Sequence, residues 1–406
     1  MKTAIEQIQL IKRGAERLID EQELQVKISK SLSQNKPLII KLGVDPTAPD
    51  IHLGHTVPLR KLRHFQDLGH EVVFLIGDFT GRIGDPTGKD KTRPPLTEED
   101  ILRNAKTYIE QVSKILNPDK LRVEYNSTWL NNLTFGKLIK MAANTTMAKM
   151  LEHNTFRQRL ESSDSIRMHE MLYPFMQGYD SVALDADVEL GGSDQTFNLT
   201  FGRDLQRFFG QNPQICLTMP ILTGTDGVQK MSKSLGNYIG IDEPPATMFD
   251  KIMRMTDDNI VSYMTLLTDI PEKEIEEIAK ILNDCPNTLF IINQKKRLAF
   301  EIIKTYHSEN DAKNQIDNYG KLDKTGLPEI KVGQFMINEC QVDIVALMKE
   351  KLGFSSFSEA RRQINQGAVS VNGSKLDSNI FTFQLNEGDV FKCGKTKIYK
   401  VTNELK

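Results

Sequence analysis

Apolar runs and helical patterns alternate along the first two hundred residues of the chain. A continuous apolar run at residues 38–42 predicts a buried strand, and the turn-rich segment GVDPTAPD follows it. Apolar residues at helical spacing then cover about residues 53–68, and the run EVVFLIG at residues 71–77 predicts a second strand. Further strands are predicted at residues 121–125, near residues 182–190 and at residues 215–222. This order of elements predicts a doubly wound, Rossmann-like α/β domain with a parallel sheet.

A glycine-rich loop, IGDFTGRIGDPTGK, follows the second predicted strand. After it, Thr97 and Asp100 have the spacing of a helix start and predict a second helix that runs to about residue 116. The helix that begins near residue 53 follows the carboxyl end of the first strand, where ligands bind in open parallel sheets. Its N-terminus is therefore expected to face a phosphate group.

The pattern changes in the second half of the chain. Residues 244–319 are rich in Lys, Glu, Ile and Met at helical spacing, which predicts a helical domain, and residues 319–333 have the Gly and Pro content of a linker. The predicted domains are an α/β domain with an inserted connective segment at residues 1–225, the helical domain with its linker at residues 226–330, and a small C-terminal domain at residues 341–406.

Composition sets ordinary bounds on the chain. Its 406 residues, 39% hydrophobic and 26% charged, are typical of two or three soluble domains. The net charge of -2 argues against bulk electrostatic capture of nucleic acid, so any RNA contact must come from local basic patches. The four cysteines are too dispersed for a zinc site or a disulfide framework. The chain has neither the apolar run of a signal peptide nor a membrane-spanning stretch, so a cytoplasmic protein is expected.

Two short motifs indicate chemistry on a nucleotide. HLGH, from His52 to His55, places a glycine between two histidines, which suits close approach of the backbone to a ligand. KMSKS, from Lys230 to Ser234, offers two lysines in a flexible loop, which suits a polyphosphate. Either motif alone is weak evidence. Together, and in this order, they resemble the two signature sequences of the class I aminoacyl-tRNA synthetases, which implies that ATP is a substrate.

Other segments narrow the resemblance to the tyrosyl-tRNA synthetases. The strings GVDPTAPDIHLGH, IGDPTGK, MLYPFMQGYD and GGSDQ match that family in order. The related tryptophanyl-tRNA synthetases usually lack a C-terminal S4 domain. Residues 354–373, FSSFSEARRQINQGAVSVNG, resemble the S4 family of α+β RNA-binding domains. Residues 341–406 contain ten Lys plus Arg and seven Asp plus Glu, and Arg361 and Arg362 are the expected phosphate contacts.

The resemblance implies a tyrosine site that suits the chemistry of the amino acid. Its ammonium and phenol need a few placed carboxylates, amides and hydroxyls in a buried pocket. Tyr173, Gln177 and Asp180 have the spacing of one helix face. By resemblance, Asp85, Tyr173 and Gln177 hold the ammonium and Asp180 pairs with the phenol. Gln195 would orient the carboxylate.

The resemblance also implies the handling of ATP. The tyrosine carboxylate attacks the α-phosphate, so the enzyme needs donors that stabilise the leaving pyrophosphate and no nucleophile of its own. The residues implied for this catalysis are Thr47, His52, His55, Lys89, Arg93, Lys230 and Lys233. Those implied for further ATP contacts are Gly43, Asp45, Gly54, Gly192, Asp194 and again Lys233. Both histidines are expected to donate hydrogen bonds, and Mg²⁺ is expected to arrive on the phosphates without a metal site of the protein.

Two positions depart from the pattern of the tyrosyl family. Lys41 stands where many members have a tyrosine that contacts the phenol, and Glu189 stands where glutamine is common. Because a buried lysine is costly unless it is paired, Lys41 is expected either to turn outward or to meet an acid. We interpret both differences as marks of a second bacterial branch of tyrosyl enzymes, with altered specificity as the alternative.

The partners implied by the resemblance are L-tyrosine, ATP and tRNA(Tyr), with a helical anticodon-binding domain, a homodimer and no membrane. Two alternatives come from other classes of protein. A small-molecule adenylyltransferase would share an HxGH motif and a similar fold, but KMSKS and the S4-like segment argue against it. A non-catalytic RNA-binding protein derived from a synthetase is disfavoured because HLGH, GGSDQ and KMSKS are all intact.

Overall fold

The computed structural model describes residues 2–47, 50–87, 97–284, 288–319, 329–332, 335–338, 341–394 and 397–402. They belong to two compact units, Met1–Ile316 and Asp317–Lys406.

Helices α1 to α16 and strands β1 to β6 precede residue 319. The helices are α1 Ala4–Lys12, α2 Glu21–Gln34, α3 Leu53–Asp67, α4 Thr80–Ile83, α5 Glu98–Val112, α6 Ser127–Leu130, α7 Phe135–Ala143, α8 Met147–Met150, α9 Asn154–Glu161, α10 Tyr173–Leu184, α11 Thr196–Phe208, α12 Pro245–Arg254, α13 Asn259–Leu267, α14 Glu272–Asp284, α15 Thr288–Tyr306 and α16 Glu309–Asn318. The strands are β1 Arg17–Ile19, β2 Ile39–Val44, β3 Glu71–Ile76, β4 Leu121–Tyr125, β5 Val188–Gly192 and β6 Ile215–Met219.

These six strands form one sheet in the order β1-β6-β5-β2-β3-β4. Strands β2 to β6 are parallel, and β1 pairs antiparallel with β6 at one edge. The chain builds outward from β2 to β3 and β4, and then returns to the other side of β2 with β5 and β6. The strand order therefore reverses between β2 and β5, and a crevice opens beyond their carboxyl ends. The predicted α/β class with a parallel sheet is confirmed.

Local sequence signals explain where the elements around this crevice begin. Helix α2 ends at Asn35 in the left-handed conformation (φ 49°), and β2 follows four residues later. His52 caps α3. Thr97 caps α5 by accepting a hydrogen bond from the backbone N–H of Asp100, as the spacing of these two residues predicts. The strands predicted at residues 38–42, 71–77, 121–125 and 215–222 are all present within a few residues of their predicted ends.

The strand predicted near residues 182–190 is wrong in its first half. Residues up to Leu184 belong to helix α10, and β5 begins only at Val188. Asp185 in the left-handed conformation (φ 49°) ends the helix between them. Since a buried helix end and a buried strand are both apolar, the sequence pattern did not separate them.

One hydrophobic core joins the sheet to the helices that follow it. It runs from Ile8 on α1 through Ile40 on β2 to Tyr263 on α13 and Leu298 on α15. A second cluster, which includes Leu130, Phe156 and Phe201, packs the connective segment, residues 126–172 between β4 and α10, against α10 and α11. The predicted boundary at residue 225, between the α/β domain and the helical domain, falls inside this first unit and stays a prediction. No helix among the described residues is both long and apolar enough to cross a bilayer.

The second unit contains the remaining elements and its own core around Leu347, Ile364 and Phe391. Its elements are β7 Glu329–Lys331, β8 Met336–Asn338, β9 Gln341–Asp343, α17 Ile344–Lys351, α18 Phe357–Asn365, β10 Val369–Val371, β11 Ser374–Lys375, β12 Thr382–Phe383, β13 Val390–Cys393 and β14 Lys397–Thr402. A five-stranded sheet has the order β11-β10-β13-β14-β7, and β12, β9 and β8 form a smaller sheet. Much of the predicted linker lies outside the described residues.

The close packing of α10 on α11 yields a prediction about stability. A Cβ atom at Gly178 would lie 2.7 Å from Leu205 Cδ1 and 3.3 Å from Gly202 Cα. We expect Gly178→Ala to lower the free energy of unfolding by about 1–3 kcal/mol in urea denaturation, because the helices would have to move apart. Gly136 on α7 is the matched control, since a Cβ there meets nothing within 4 Å. Gly136→Ala should be neutral or slightly stabilising. An unchanged urea midpoint for Gly178→Ala would contradict the packing.

Candidate active site

A cleft of about 450 Å³ lies at the carboxyl ends of β2 and β5. Most of the residues that the sequence predicts for a site line it together. These are Gly43, Asp45, Thr47, His52, Gly54, His55, Asp85, Tyr173, Gln177, Asp180, Gly192, Asp194, Gln195 and Lys230. Lys89 and Arg93 lie outside the described residues, and Arg361 and Arg362 belong to the second unit.

The HLGH residues form a compact cap at the start of α3. His52 Nδ1 accepts a hydrogen bond from the backbone N–H of Gly54 at 3.2 Å, and His55 Nδ1 accepts one from the backbone N–H of His52 at 3.3 Å. The two rings stack with their centroids 3.8 Å apart. With each Nδ1 accepting, a neutral ring carries its proton on Nε2 and has that atom free to donate.

The protonation of both histidines follows from their surroundings. Burial lowers the pKa of His52 to about 3, with further contributions from His55 and the positive charge of Lys233. Burial and Lys233 lower the pKa of His55 to about 4. Both rings are therefore neutral at pH 7. A Cβ at Gly54 would lie 3.0 Å from the His52 ring, so glycine allows the ring to pack on the backbone.

Helix α10 presents Tyr173, Gln177 and Asp180 to the cleft, as their spacing predicts. The Asp180 carboxylate accepts hydrogen bonds from Trp129 Nε1 at 2.7 Å and from Asn126 Nδ2 at 3.2 Å. Burial raises the pKa of Asp180 to about 7, although the positive charge of Lys41 and these two donors act against the increase.

Asp45 lies on the loop that follows β2. It accepts hydrogen bonds from Thr80 Oγ1 at 2.7 Å and from the Tyr173 hydroxyl at 2.9 Å. Burial raises its pKa to about 7 despite both donors, and the negative charge of Asp85 adds to the increase. The Tyr173 hydroxyl is thus tied to the first loop.

A second contact joins the glycine-rich loop to the segment after β5. Gln195 Nε2 donates to Asp85 Oδ2 at 2.6 Å, and the backbone N–H of Thr87 donates to Asp85 Oδ1 at 2.9 Å. Asn198 in turn holds Gln195 through its side-chain amide at 2.9 Å. Burial raises the pKa of the neighbouring Asp194, although the positive charge of Lys230 acts against the increase. Amide and carboxylate groups from two separate segments therefore converge here.

The KMSKS loop closes one side of the cleft. Asn237 orders the loop by accepting from the Ser232 backbone N–H at 2.8 Å and by donating to the Lys230 carbonyl at 3.1 Å. Lys230, Met231 and Ser232 line the cleft. Lys233 instead makes an ion pair with Asp50, with Nζ and Oδ2 3.0 Å apart.

Several residues of the site were not predicted from the sequence. Trp129 and Asn126 hold Asp180 from the segment after β4, and Thr80 holds Asp45 from α4. Asn126 comes directly after the carboxyl end of β4, which was the available signal. Of the two alternatives stated for Lys41, the structure shows that the side chain meets an acid, because its Nζ lies 2.9 Å from Glu189 Oε1.

No group of three or more His, Cys, Asp or Glu side chains among the described residues is arranged to hold a metal ion.

Comparisons with known proteins agree on one family. The family described as tRNA synthetases class I (W and Y) matches residues 33–319. A tyrosine–tRNA ligase of Moorella thermoacetica is 49% identical over 396 residues, which is 97% of this chain and 95% of the relative. One from Carboxydothermus hydrogenoformans is 50% identical over 404 residues, 98% of each chain.

Solved structures of similar proteins share the fold. A C-terminally truncated mitochondrial tyrosyl-tRNA synthetase of Aspergillus nidulans has a TM-score of 0.63 and 24% identity, covering 79% of this chain and 94% of its own. The tyrosyl-tRNA synthetase of Archaeoglobus fulgidus in complex with L-tyrosine has a TM-score of 0.61 and 23% identity, covering 78% of this chain and 100% of its own.

The raised pKa of Asp180 predicts a dependence of stability on pH. A carboxyl whose pKa rises on folding, from about 3.9 to about 7, favours the folded state fully below about pH 4 and loses that contribution as pH rises through about 7. Asparagine imitates the neutral acid at every pH. We therefore expect the unfolding free energy of Asp180→Asn relative to wild type to increase by on the order of 3 kcal/mol between pH 4 and pH 8 in urea titrations.

Asp119→Asn, on an exposed turn, is the control and should show no such trend. A difference between Asp180→Asn and wild type that stays constant with pH would contradict the placement of Asp180.

Proposed function

We propose that this chain, which belongs to the class I tRNA synthetases (W and Y), is a tyrosine–tRNA ligase. It activates L-tyrosine with ATP to tyrosyl-adenylate and pyrophosphate, and then transfers tyrosine to the 3′ end of tRNA(Tyr). The observation that carries this function is the identity of about half of all positions, over nearly the full chain, with proteins of that name. The family suggested by the sequence motifs is thereby confirmed.

The tyrosine end of the cleft is the α10 face together with Asp85 and Gln195. Asp180 would accept the hydrogen bond of the phenol, because its carboxylate is buried and its other partners are both donors. Asp85, Tyr173 and Gln177 would hold the ammonium, and Gln195 would orient the carboxylate. Phenylalanine would leave Asp180 without this partner in a buried site, which is costly.

The ATP end of the cleft is formed by HLGH, the loop after β2 and KMSKS. The neutral histidines would donate from Nε2 to phosphate and ribose oxygens, with Thr47 beside them. Lys230 and Lys233 would stabilise the departing pyrophosphate, together with Lys89 and Arg93. Gly43, Asp45, Gly54, Gly192 and Asp194 would contact the remainder of ATP. Mg²⁺ would arrive with the nucleotide, bound to its phosphates.

The second unit is proposed as an S4-like RNA-binding domain. Its helix α18 starts at a Ser356 cap and carries Arg361 and Arg362, which are both exposed. The guanidinium of Arg361 lies 5.4 Å from the centre of the Phe381 ring, which limits its freedom. Such fixed, exposed cations suit the phosphates of tRNA. The helical segment before it would contact the anticodon arm, and the enzyme would act on tRNA in the cytoplasm.

A homodimer is supported by apolar side chains on the connective segment. Five of them, on or beside helices α7 to α9, are each more than half exposed: Phe135, Ile139, Met147, Leu160 and Met168. Such a concentration of exposed large apolar side chains within one segment of the chain favours a protein interface. A second copy of the chain is the occupant that the family implies.

Amino-acid-dependent exchange of pyrophosphate into ATP tests the function. We expect exchange with tyrosine and none above background with tryptophan or phenylalanine. Lys233→Ala should lower the rate of exchange by about 10²–10³ while it changes the KM for tyrosine less than about twofold, because the lysine acts on the leaving group.

Lys114→Ala is the matched control, since Lys114 also pairs with an aspartate, Asp242, across the surface and does not line the cleft. It should exchange like wild type. Exchange with tryptophan alone would refute the tyrosine assignment, and full activity of Lys233→Ala would refute the role of that lysine.

The interface proposal predicts the mass of the protein in solution. Wild type should sediment as a dimer, and Phe135→Asp with Ile139→Asp should raise the dimer dissociation constant at least about a hundredfold, because two apolar side chains that the proposed interface would bury become charged. Val26→Asp, at an equally exposed position on α2, should remain dimeric. A monomeric wild type, or a double variant that still dimerises, would contradict the proposal.

The role of the second unit predicts a separation of the two half-reactions. Arg361→Ala with Arg362→Ala should weaken tRNA(Tyr) binding by roughly tenfold and reduce its salt dependence, since each arginine contacts phosphate. Tyrosine-dependent pyrophosphate exchange should be unchanged. Lys30→Ala with Lys36→Ala removes two exposed charges from the first unit and serves as the control in filter binding. Unaltered tRNA affinity of the arginine variant would rule out this contact.

A further inference from the structure

A buried ion pair lies beneath the tyrosine end of the cleft. Lys41 on β2 and Glu189 on β5 face each other directly in the register of the two central strands. Their side chains are 0% and 1% exposed, and Lys41 Nζ lies 2.9 Å from Glu189 Oε1. Lys41 also lines the cleft.

The Lys41 ammonium makes two hydrogen bonds in addition to its ion pair with Glu189. Besides Glu189, Nζ donates to the Gln177 carbonyl at 3.0 Å and to Ser181 Oγ at 2.9 Å. These two residues flank Asp180 on α10. The lysine therefore binds the backbone and a side chain of the helix that presents the candidate tyrosine contacts.

Glu189 completes the network from the other strand. It accepts hydrogen bonds from the Gln177 side-chain amide at 3.1 Å and from Ser181 Oγ at 3.1 Å, and also from the Gln214 amide. Gln177 is thus held twice, through its carbonyl by Lys41 and through its amide by Glu189. One end of that amide is committed, which sets how the side chain faces a ligand.

Stability alone does not account for such a pair. Removal of two charges from water is expensive, and apolar residues of similar volume often fill such sites at no loss. The pair instead affects the protonation of Asp180. After burial, the positive charge of Lys41 is the largest influence on the pKa of Asp180 and acts to lower it, whereas Glu189 acts to raise it. Lys41 thus favours the carboxylate that a phenol would donate to.

We propose that Lys41 and Glu189 are positioning residues for tyrosine selection: the pair fixes Gln177 and supplies the positive charge that keeps Asp180 a hydrogen-bond acceptor for the phenol. This inference rests on the proposed tyrosine–tRNA ligase function. It assigns a role to two residues that would not themselves carry out the chemistry.

The test is the pH profile of tyrosine-dependent pyrophosphate exchange in Lys41→Met and in the double variant Lys41→Met with Glu189→Gln. The double variant leaves no buried charge without a partner, so it remains informative where the single variant fails to fold. In Lys41→Met, we expect the acid limb of kcat/KM for tyrosine to move upward by at least about one pH unit. In the double variant the shift should have the same direction and be smaller, because the loss of the Glu189 charge offsets part of it. At pH 7 the KM for tyrosine should rise about tenfold or more, the preference for tyrosine over phenylalanine should fall by a similar factor, and the KM for ATP should stay within about twofold.

Lys61→Met is the matched control. Lys61 is also a buried lysine, and it donates to the carbonyls of Leu10 and Arg13 away from the cleft. This variant should lose stability and keep the wild-type pH profile and selectivity.

A folded double variant with an unchanged pH profile and unchanged selectivity would overturn the role of the pair while leaving the function in place. A shift of the same size in Lys61→Met would also overturn it, because the effect would then be general. A wild type without tyrosine-dependent exchange would instead overturn the proposed function, and this inference with it.

Discussion

The burial of charge at the carboxyl ends of β2 and β5 is the constraint on which the site depends. The sheet reverses its strand order there, so residues of the two central strands and of α10 line the crevice. Charged groups in such a place must be paired or they change their protonation. Lys41 and Glu189 are paired across the strands, and Asp45 and Asp180 are each held by two donors.

Burial favours the uncharged form of the titratable side chains at both ends of the cleft, and neighbouring groups decide the outcome. At the proposed ATP end, burial keeps the HLGH histidines neutral, and hydrogen bonds from backbone N–H groups fix their tautomer. Two neutral rings then offer donors without adding charge beside the lysines of KMSKS. At the proposed tyrosine end, burial raises the pKa of Asp180 to about 7, so its charge near neutral pH depends on nearby donors and on Lys41. The proposed reaction needs no enzyme nucleophile, because the tyrosine carboxylate attacks ATP. Catalysis then depends on holding the two substrates in position and on stabilising the charge of the leaving pyrophosphate.

Much of the fold and most of the site could be predicted from the sequence. Period and turn residues located β2, β3, β4 and β6, and the spacing of Tyr173, Gln177 and Asp180 placed them on one helix face. The boundary between α10 and β5 was predicted wrongly because the end of the helix and the start of the strand are both apolar. Trp129 and Asn126 were missed because they reach Asp180 from a segment about fifty residues away. The only signal in the sequence was the position of Asn126 directly after β4. The departures at Lys41 and Glu189 were visible singly, but their pairing depends on strand register.

A crystal structure of the protein with bound L-tyrosine would show whether the phenol binds to Asp180. We expect the phenolic oxygen within about 2.5–3.0 Å of the Asp180 carboxylate, with the Lys41–Glu189 pair intact beneath it and the ammonium near Asp85, Tyr173 and Gln177. A tyrosine whose phenol lies away from Asp180, or whose entry breaks the pair, would contradict this expectation.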